Sequence, residues 1–269
     1  MLLVYVQKYY FRCCKKKGMD KIRISAVKYA NTYPFIYGII ESGFEKKVIL
    51  ETDHPADCAA KLISGRVDVG LIPVAALPFV KDYHIISDFC IGANGNVRTV
   101  MLLSNCPFEE IKNIYLDYRS RSSVNLTKVL AKNSWKKEFK WINTSKAFDF
   151  LNIGLDEAVV LIGDQCFEFE NSFRYKIDLA MEWKIFSGLP FVFACWTSNK
   201  QLDNMFINEF NEVLRLGVNN IDGVVDKFGQ TGAISGETLR TYLMKNIDFN
   251  FNDEKKAGLR LFLELLNKL

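Results

Sequence analysis

Four short polar junctions in this 269-residue chain hold the side chains whose types and spacing could do chemistry. Asn31 and Thr32 stand in "YANTYP" at 29–34, and Arg98 and Thr99 close "GANGNVRT" at 92–99. Ser122 and Ser123 stand in "DYRSRSSV" at 117–124, and Asp164 ends the apolar run in "LIGDQCF" at 161–167. Amides, hydroxyls and backbone N–H groups at a helix start suit a carboxylate or phosphate, because the donors and the positive end of the helix dipole point the same way. Each junction also has a plainer reading. Asn31, Thr32, one of the serines or Asp164 could cap the next helix, the Gly/Asn segment could be a hairpin turn, and Arg119 and Arg121 could be solvated charges. Nucleophilic and metal chemistry find less support. The two histidines, His54 and His84, have no Ser, Cys or Asp partner at a motif spacing, and no P-loop or dinucleotide glycine pattern is present.

The elements around these junctions alternate. "KIRISAV" reads as a strand from its period of two, and Pro34 suits the first turn of the helix after it. "KKVILET" is strand. "HPADCAAKLISG" is a helix punctuated by Pro55 and Gly65, and "RVDVGLIP" is strand again. "YHIISDFCIGANGNVRTVMLLSN" reads as two long strands around a Gly/Asn turn. The strand–helix rhythm then resumes in "IYLDY" with "RSRSSVNLTKVLAKN", "FKWIN" with "TSKAFDFLN", and "EAVVLIGD" with "QCFEFE". "SGLPFVFACW" adds an apolar strand in which Phe191 reads as core, with a pocket wall as the other reading. The last third is helical, with Leu259, Phe262 and Leu266 at helical spacing. The expected fold is α/β with two lobes, the second inserted in the first: residues 21–104 plus 191–269 form lobe 1 and residues 105–190 form lobe 2.

At 49% hydrophobic residues the chain can bury a sizeable core. Its net charge of +4 comes from 35 basic and 31 acidic residues mixed along the sequence, which disfavours a nucleic-acid partner. No stretch approaches the roughly 20 apolar residues of a membrane span. Seven cysteines without a CxxC pair read as reduced thiols of a cytoplasmic protein. The opening "MLLVYVQKYYFRCCKKKG" inverts the order of a secretory signal. Because "MDKIRIS" leads straight into the first strand, Met19 is the expected native start and residues 1–20 an extension outside the fold.

Taken together, "VKYANTYPFIYG", "SGRVDVGLIPVAAL", "GNVRTVMLLS", "DYRSRSSVNL", "LIGD" and "GLPFVFACW" resemble, in order, the motifs of the chorismate dehydratase (MqnA) family of the futalosine route to menaquinone. The resemblance implies a type II periplasmic-binding-protein-like fold used for catalysis in the cytoplasm. It implies a hydro-lyase that converts chorismate to 3-enolpyruvyl-benzoate, with a small-molecule substrate and no metal or organic cofactor. Asn31 matches the family's active-site asparagine, and Thr99 falls where a serine is usual, so both are expected to be catalytic. Thr32, Arg98, Ser122, Ser123 and Asp164 are expected to bind substrate. Ala30 and Asn96 depart from the family's leucine and proline. Two alternatives accompany this reading: a dihydroxynaphthoate synthase-like enzyme, whose Ser-Pro-Cys-Pro-Asn-Asp start is missing here, and a non-catalytic receptor for an anionic solute.

Overall fold

The computed structural model describes residues 21–230 and 234–269, so the expected extension over residues 1–20 lies outside the described residues. β1 (Ile22–Val27) leads through a 3-10 turn (Ala30–Thr32) into α1 (Tyr33–Glu41). β2 (Val48–Asp53), α2 (Pro55–Ile63), β3 (Val69–Pro73) and β4 (His84–Ala93) follow. The chain then crosses to β5 (Val100–Ser104), β6 (Asn113–Leu116), α3 (Ser122–Leu130), β7 (Lys140–Asn143), β8 (Glu157–Ile162), α4 (Gln165–Phe169), β9 (Tyr175–Asp178) and α5 (Leu179–Ser187). It returns in β10 (Phe191–Ser198) and continues through α6 (Asn204–Val218), α7 (Ile221–Phe228), α8 (Gly236–Lys245), β11 (Asp248–Asn250) and α9 (Asp253–Leu266).

Two mixed sheets result, in the orders β11-β4-β10-β3-β1-β2 and β7-β6-β8-β5-β9. β1 lies between parallel partners β2 and β3, which is why its last four residues are buried on both faces rather than alternating. In the second sheet the period of two sorts the side chains. Val100, Leu102, Ala158, Val160 and Ile162 join the main core, while Met101, Leu103, Val159 and Leu161 turn to a smaller cluster with Phe173.

Three expectations change. β4 and β5 do not form a hairpin: β4 pairs with β10 and β11, β5 with β8 and β9, and residues 94–99 carry the chain from one sheet to the other. β5 therefore belongs with the second sheet, ahead of the expected boundary at residue 105. "TSKAFDFLN" is not helical. Its Phe148 lies against Tyr115 at 4.6 Å and against Phe150 at 5.4 Å, a sheet-covering arrangement that a helix could not keep at a spacing of two. The third change is β11, a three-residue strand that no pattern announces.

One helix contact fixes the start of α1. A methyl group added at Gly217 of α6 would lie 1.7 Å from the Pro34 carbonyl oxygen, and one at Gly38 would lie 2.0 Å from that of Val213. Only glycines let the two backbones approach this closely.

Candidate functional site

The turn after β1 is the first element of the site. Neither the Ala30–Thr32 turn nor α1 takes a side-chain cap, so the capping reading of Asn31 and Thr32 does not hold. The Ala30 N–H is met from the second sheet instead: both oxygens of Asp164 lie 3.1 Å from it. Asp164 does not cap α4 either, and burial pushes its carboxyl up to about 6, against the opposing effect of the Ala30 N–H. Thr32 is fully buried and donates to Asn31 Oδ1 at 3.3 Å, which orients the Asn31 amide. Asn31 lines a cavity between the sheets.

The start of α3 stands on the opposite wall. Ser120 Oγ accepts from the Ser123 N–H at 3.1 Å and so caps this helix. The hydroxyl of Ser122 is spoken for: it accepts from Ala75 N–H at 3.2 Å and donates to the Phe193 carbonyl at 3.0 Å, tying α3 to the first sheet. Ser123 also lines the cavity, and its hydroxyl has no hydrogen-bond partner among the described residues.

Thr99 comes from the crossing. Its hydroxyl lies 2.7 Å from the hydroxyl of Tyr242 on α8, and both residues are buried. Arg98, the neighbour expected to hold substrate, faces elsewhere. It adopts a left-handed backbone (φ 64°), its N–H donates to Asp178 at 2.7 Å, and its guanidinium pairs with Glu170 at 2.9 Å and covers the ring of Phe167.

Beside the cavity, the Tyr29 hydroxyl lies 3.3 Å from His54 Nδ1, with its ring against Gly163. Burial, then the charges of Lys28 and Arg119, hold the His54 imidazole below its usual pKa and favour its neutral form. Arg119 is not a solvated charge but grips the fully buried Asp117 through two hydrogen bonds of 2.8 and 2.7 Å, and Gln165 donates to the same carboxylate at 3.1 Å.

The cavity lies outside the carboxyl ends of β1, β3 and β8. Val27, Pro55, Pro73, Ile91, Val97 and Phe193 give it apolar walls. Its polar lining among the described residues is Tyr29, Asn31, Thr99, Ser120, Ser122 and Ser123, with no carboxylate, imidazole or cation among them. Phe191 is core, packed on Trp183 and Phe262; Phe193, two residues on, is the wall. Such a lining can hold a planar apolar body and direct neutral donors at its oxygens. Among the described residues no group of three or more His, Cys, Asp or Glu could hold a metal ion. Tyr29 and Tyr242 carry no signal in the sequence, and Ser120 stands there only as one of three serines able to cap the helix. Ser120 sits three residues before the N–H it caps, a spacing that could have singled it out, whereas Tyr242 shares its helical spacing with the buried Leu239 and reads as core.

Comparison with known proteins places these observations. Residues 22–268 match the protein family described as "Menaquinone biosynthesis". A protein of Thermus thermophilus named chorismate dehydratase is 23% identical over 266 residues, covering 89% of this chain and 93% of that one. Among solved structures, a protein from Archaeoglobus fulgidus superposes with a TM-score of 0.71 at 15% identity, over 93% of this chain and 98% of that one. The periplasmic aliphatic sulphonate binding protein SsuA from Escherichia coli superposes with a TM-score of 0.60 at 12% identity, over 93% and 92%. The fold is thus α/β with two mixed sheets, similar to that of periplasmic binding proteins.

Proposed function

The chain belongs to the menaquinone biosynthesis family, and from that premise we propose that it is a cytoplasmic chorismate dehydratase, forming 3-enolpyruvyl-benzoate and water. One observation carries the reading: Asn31, relieved of capping by Asp164, faces a cavity whose other polar groups are neutral hydroxyls. Loss of water from chorismate removes the C3 hydrogen as a proton and the C4 hydroxyl with its bonding electrons, and leaves an aromatic ring. The ring carboxylate, conjugated through C1 and C2, acidifies C3. Catalysis then requires orientation and stabilisation of developing charge more than a strong base.

In this reading Asn31 orients the departing hydroxyl or the enolate-like system, and Thr99 and Ser123 donate to carboxylate oxygens beside the start of α3. The apolar walls hold the ring. With no carboxylate or imidazole among the described lining residues, the enolpyruvyl carboxylate of the substrate itself takes the C3 proton. Asp164 and Thr32 act by holding the Asn31 turn.

The test is to incubate the purified protein with chorismate and follow ultraviolet absorbance and product mass. A benzoate-like chromophore on a species lighter by one water is expected. Intact chorismate that nevertheless raises the melting temperature would replace the enzyme by an anion receptor. Intact chorismate without any such stabilisation would refute chorismate as the ligand.

A further inference from the structure

We propose that Tyr242 is a positioning residue for this centre, ordering Thr99 through its one hydroxyl group. The inference rests on the chorismate reading of the cavity and adds to it a residue from the C-terminal helices.

Thr99 and Asn31 arrive from different parts of the fold, one from the crossing between the sheets and one from the turn before α1. Both line the cavity, and neither is anchored by a cap. Tyr242 is 0% exposed, and its oxygen lies 2.7 Å from Thr99 Oγ1. A phenol offers one proton and two lone pairs, so it can meet the Thr99 hydroxyl as donor or as acceptor. Burial raises the phenol far above its usual pKa, so it remains a neutral donor and acceptor throughout the working range and cannot serve as the base for C3.

The ring is itself held. It meets Phe167 edge-on at 5.2 Å, and Arg98 covers Phe167 at 5.0 Å while pairing with Glu170. Arg98 thus bears on the site through Phe167 and Tyr242 rather than by touching a ligand. Without the phenolic oxygen, the Thr99 hydroxyl loses its 2.7 Å partner and can rotate out of register. Support of this kind is worth about 10- to 100-fold in activity.

The decisive variant is Tyr242→Phe, which retains the ring on Phe167. Turnover is expected to fall about 10- to 100-fold, with KM within about twofold of wild type and the chorismate-induced thermal shift retained. In a Thr99→Ala background the same change is expected to cost much less, because the two groups act as a unit. Turnover within about twofold of wild type in Tyr242→Phe would overturn the proposal, as would equal losses in both backgrounds. If wild type leaves chorismate intact, the substrate reading fails by itself, and crystal structures decide the positioning claim. A rotated Thr99 side chain in Tyr242→Phe upholds it, and an unmoved Thr99 side chain overturns it.

Discussion

The two strand-to-helix junctions that face each other across the cavity look alike in sequence and are wired oppositely. At the start of α3 the cap is local, since Ser120 meets the Ser123 N–H, and Ser122 spends its hydroxyl on Ala75 and Phe193 of the facing sheet. Before α1 the cap is remote. Asp164, 134 residues away, accepts from Ala30, and the Asn31 side chain is left for the cavity. The lesson is that polar composition at a helix start does not reveal which side chain serves a ligand. What decides is where the orphan N–H groups of the turn find their acceptors.

The largest effect should follow from the side chain left over. Asn31→Ala is expected to lower kcat by about 10²- to 10³-fold, the range for a donor aimed at developing charge, with melting temperature and chorismate-induced stabilisation retained. Steady-state kinetics beside a thermal shift checks this, and a loss of stability equal to that of a capping residue would erase the contrast between the junctions. Ser123→Ala removes the hydroxyl that has no partner among the described residues. Its expected signature is a KM raised by about tenfold or more at unchanged stability, as for a hydrogen bond to a charged ligand.

How much of this was legible follows from how far apart the deciding groups lie. Pro55 and Gly65 mark α2 because their constraints are local: Pro55 opens the helix and Gly65 takes φ 71° after it. "GANGNVRT" has the glycines and asparagines of a hairpin, but whether the flanking strands pair depends on β8, β9 and β10, so local sequence does not tell which sheet takes Val100–Ser104. The charge of Arg98 was visible and its partner Glu170, 72 residues on, was not. Asn31 is marked by its place after a strand, Thr99 by its place at the start of one, and both by the family resemblance. Tyr242 gave no signal, because helical spacing with Leu239 is what any core residue shows.

Ser122 sharpens the comparison from the structural side. Ser122→Ala leaves a buried N–H at Ala75 and a buried carbonyl at Phe193 without their partner, at a cost of about 1–3 kcal/mol. Urea denaturation should show this as a lower midpoint, while kcat changes by far less than in Asn31→Ala. A Ser122→Ala protein as stable as wild type but unable to bind chorismate would make the two junctions equivalent.

The smallest effect concerns the remote cap itself. Burial raises the Asp164 carboxyl to about 6, above its value of about 3.9 in an unfolded chain. The folded state therefore binds a proton that the unfolded state has already released. Stability from this group is full below about pH 4 and is lost as the pH rises through about 6. Asp164→Asn keeps an oxygen for the Ala30 N–H and removes the titration. Melting temperatures of wild type and variant, measured from pH 4 to 8, should diverge by a few degrees in favour of the variant across the window from about 4 to 6, and run parallel above it. A gap that stays constant across that window would mean that Asp164 remains ionised throughout, its charge well solvated or paired. The Ala30 N–H would then be held by a full carboxylate at every pH, and the remote junction would be as insensitive to acid as the one that Ser120 caps.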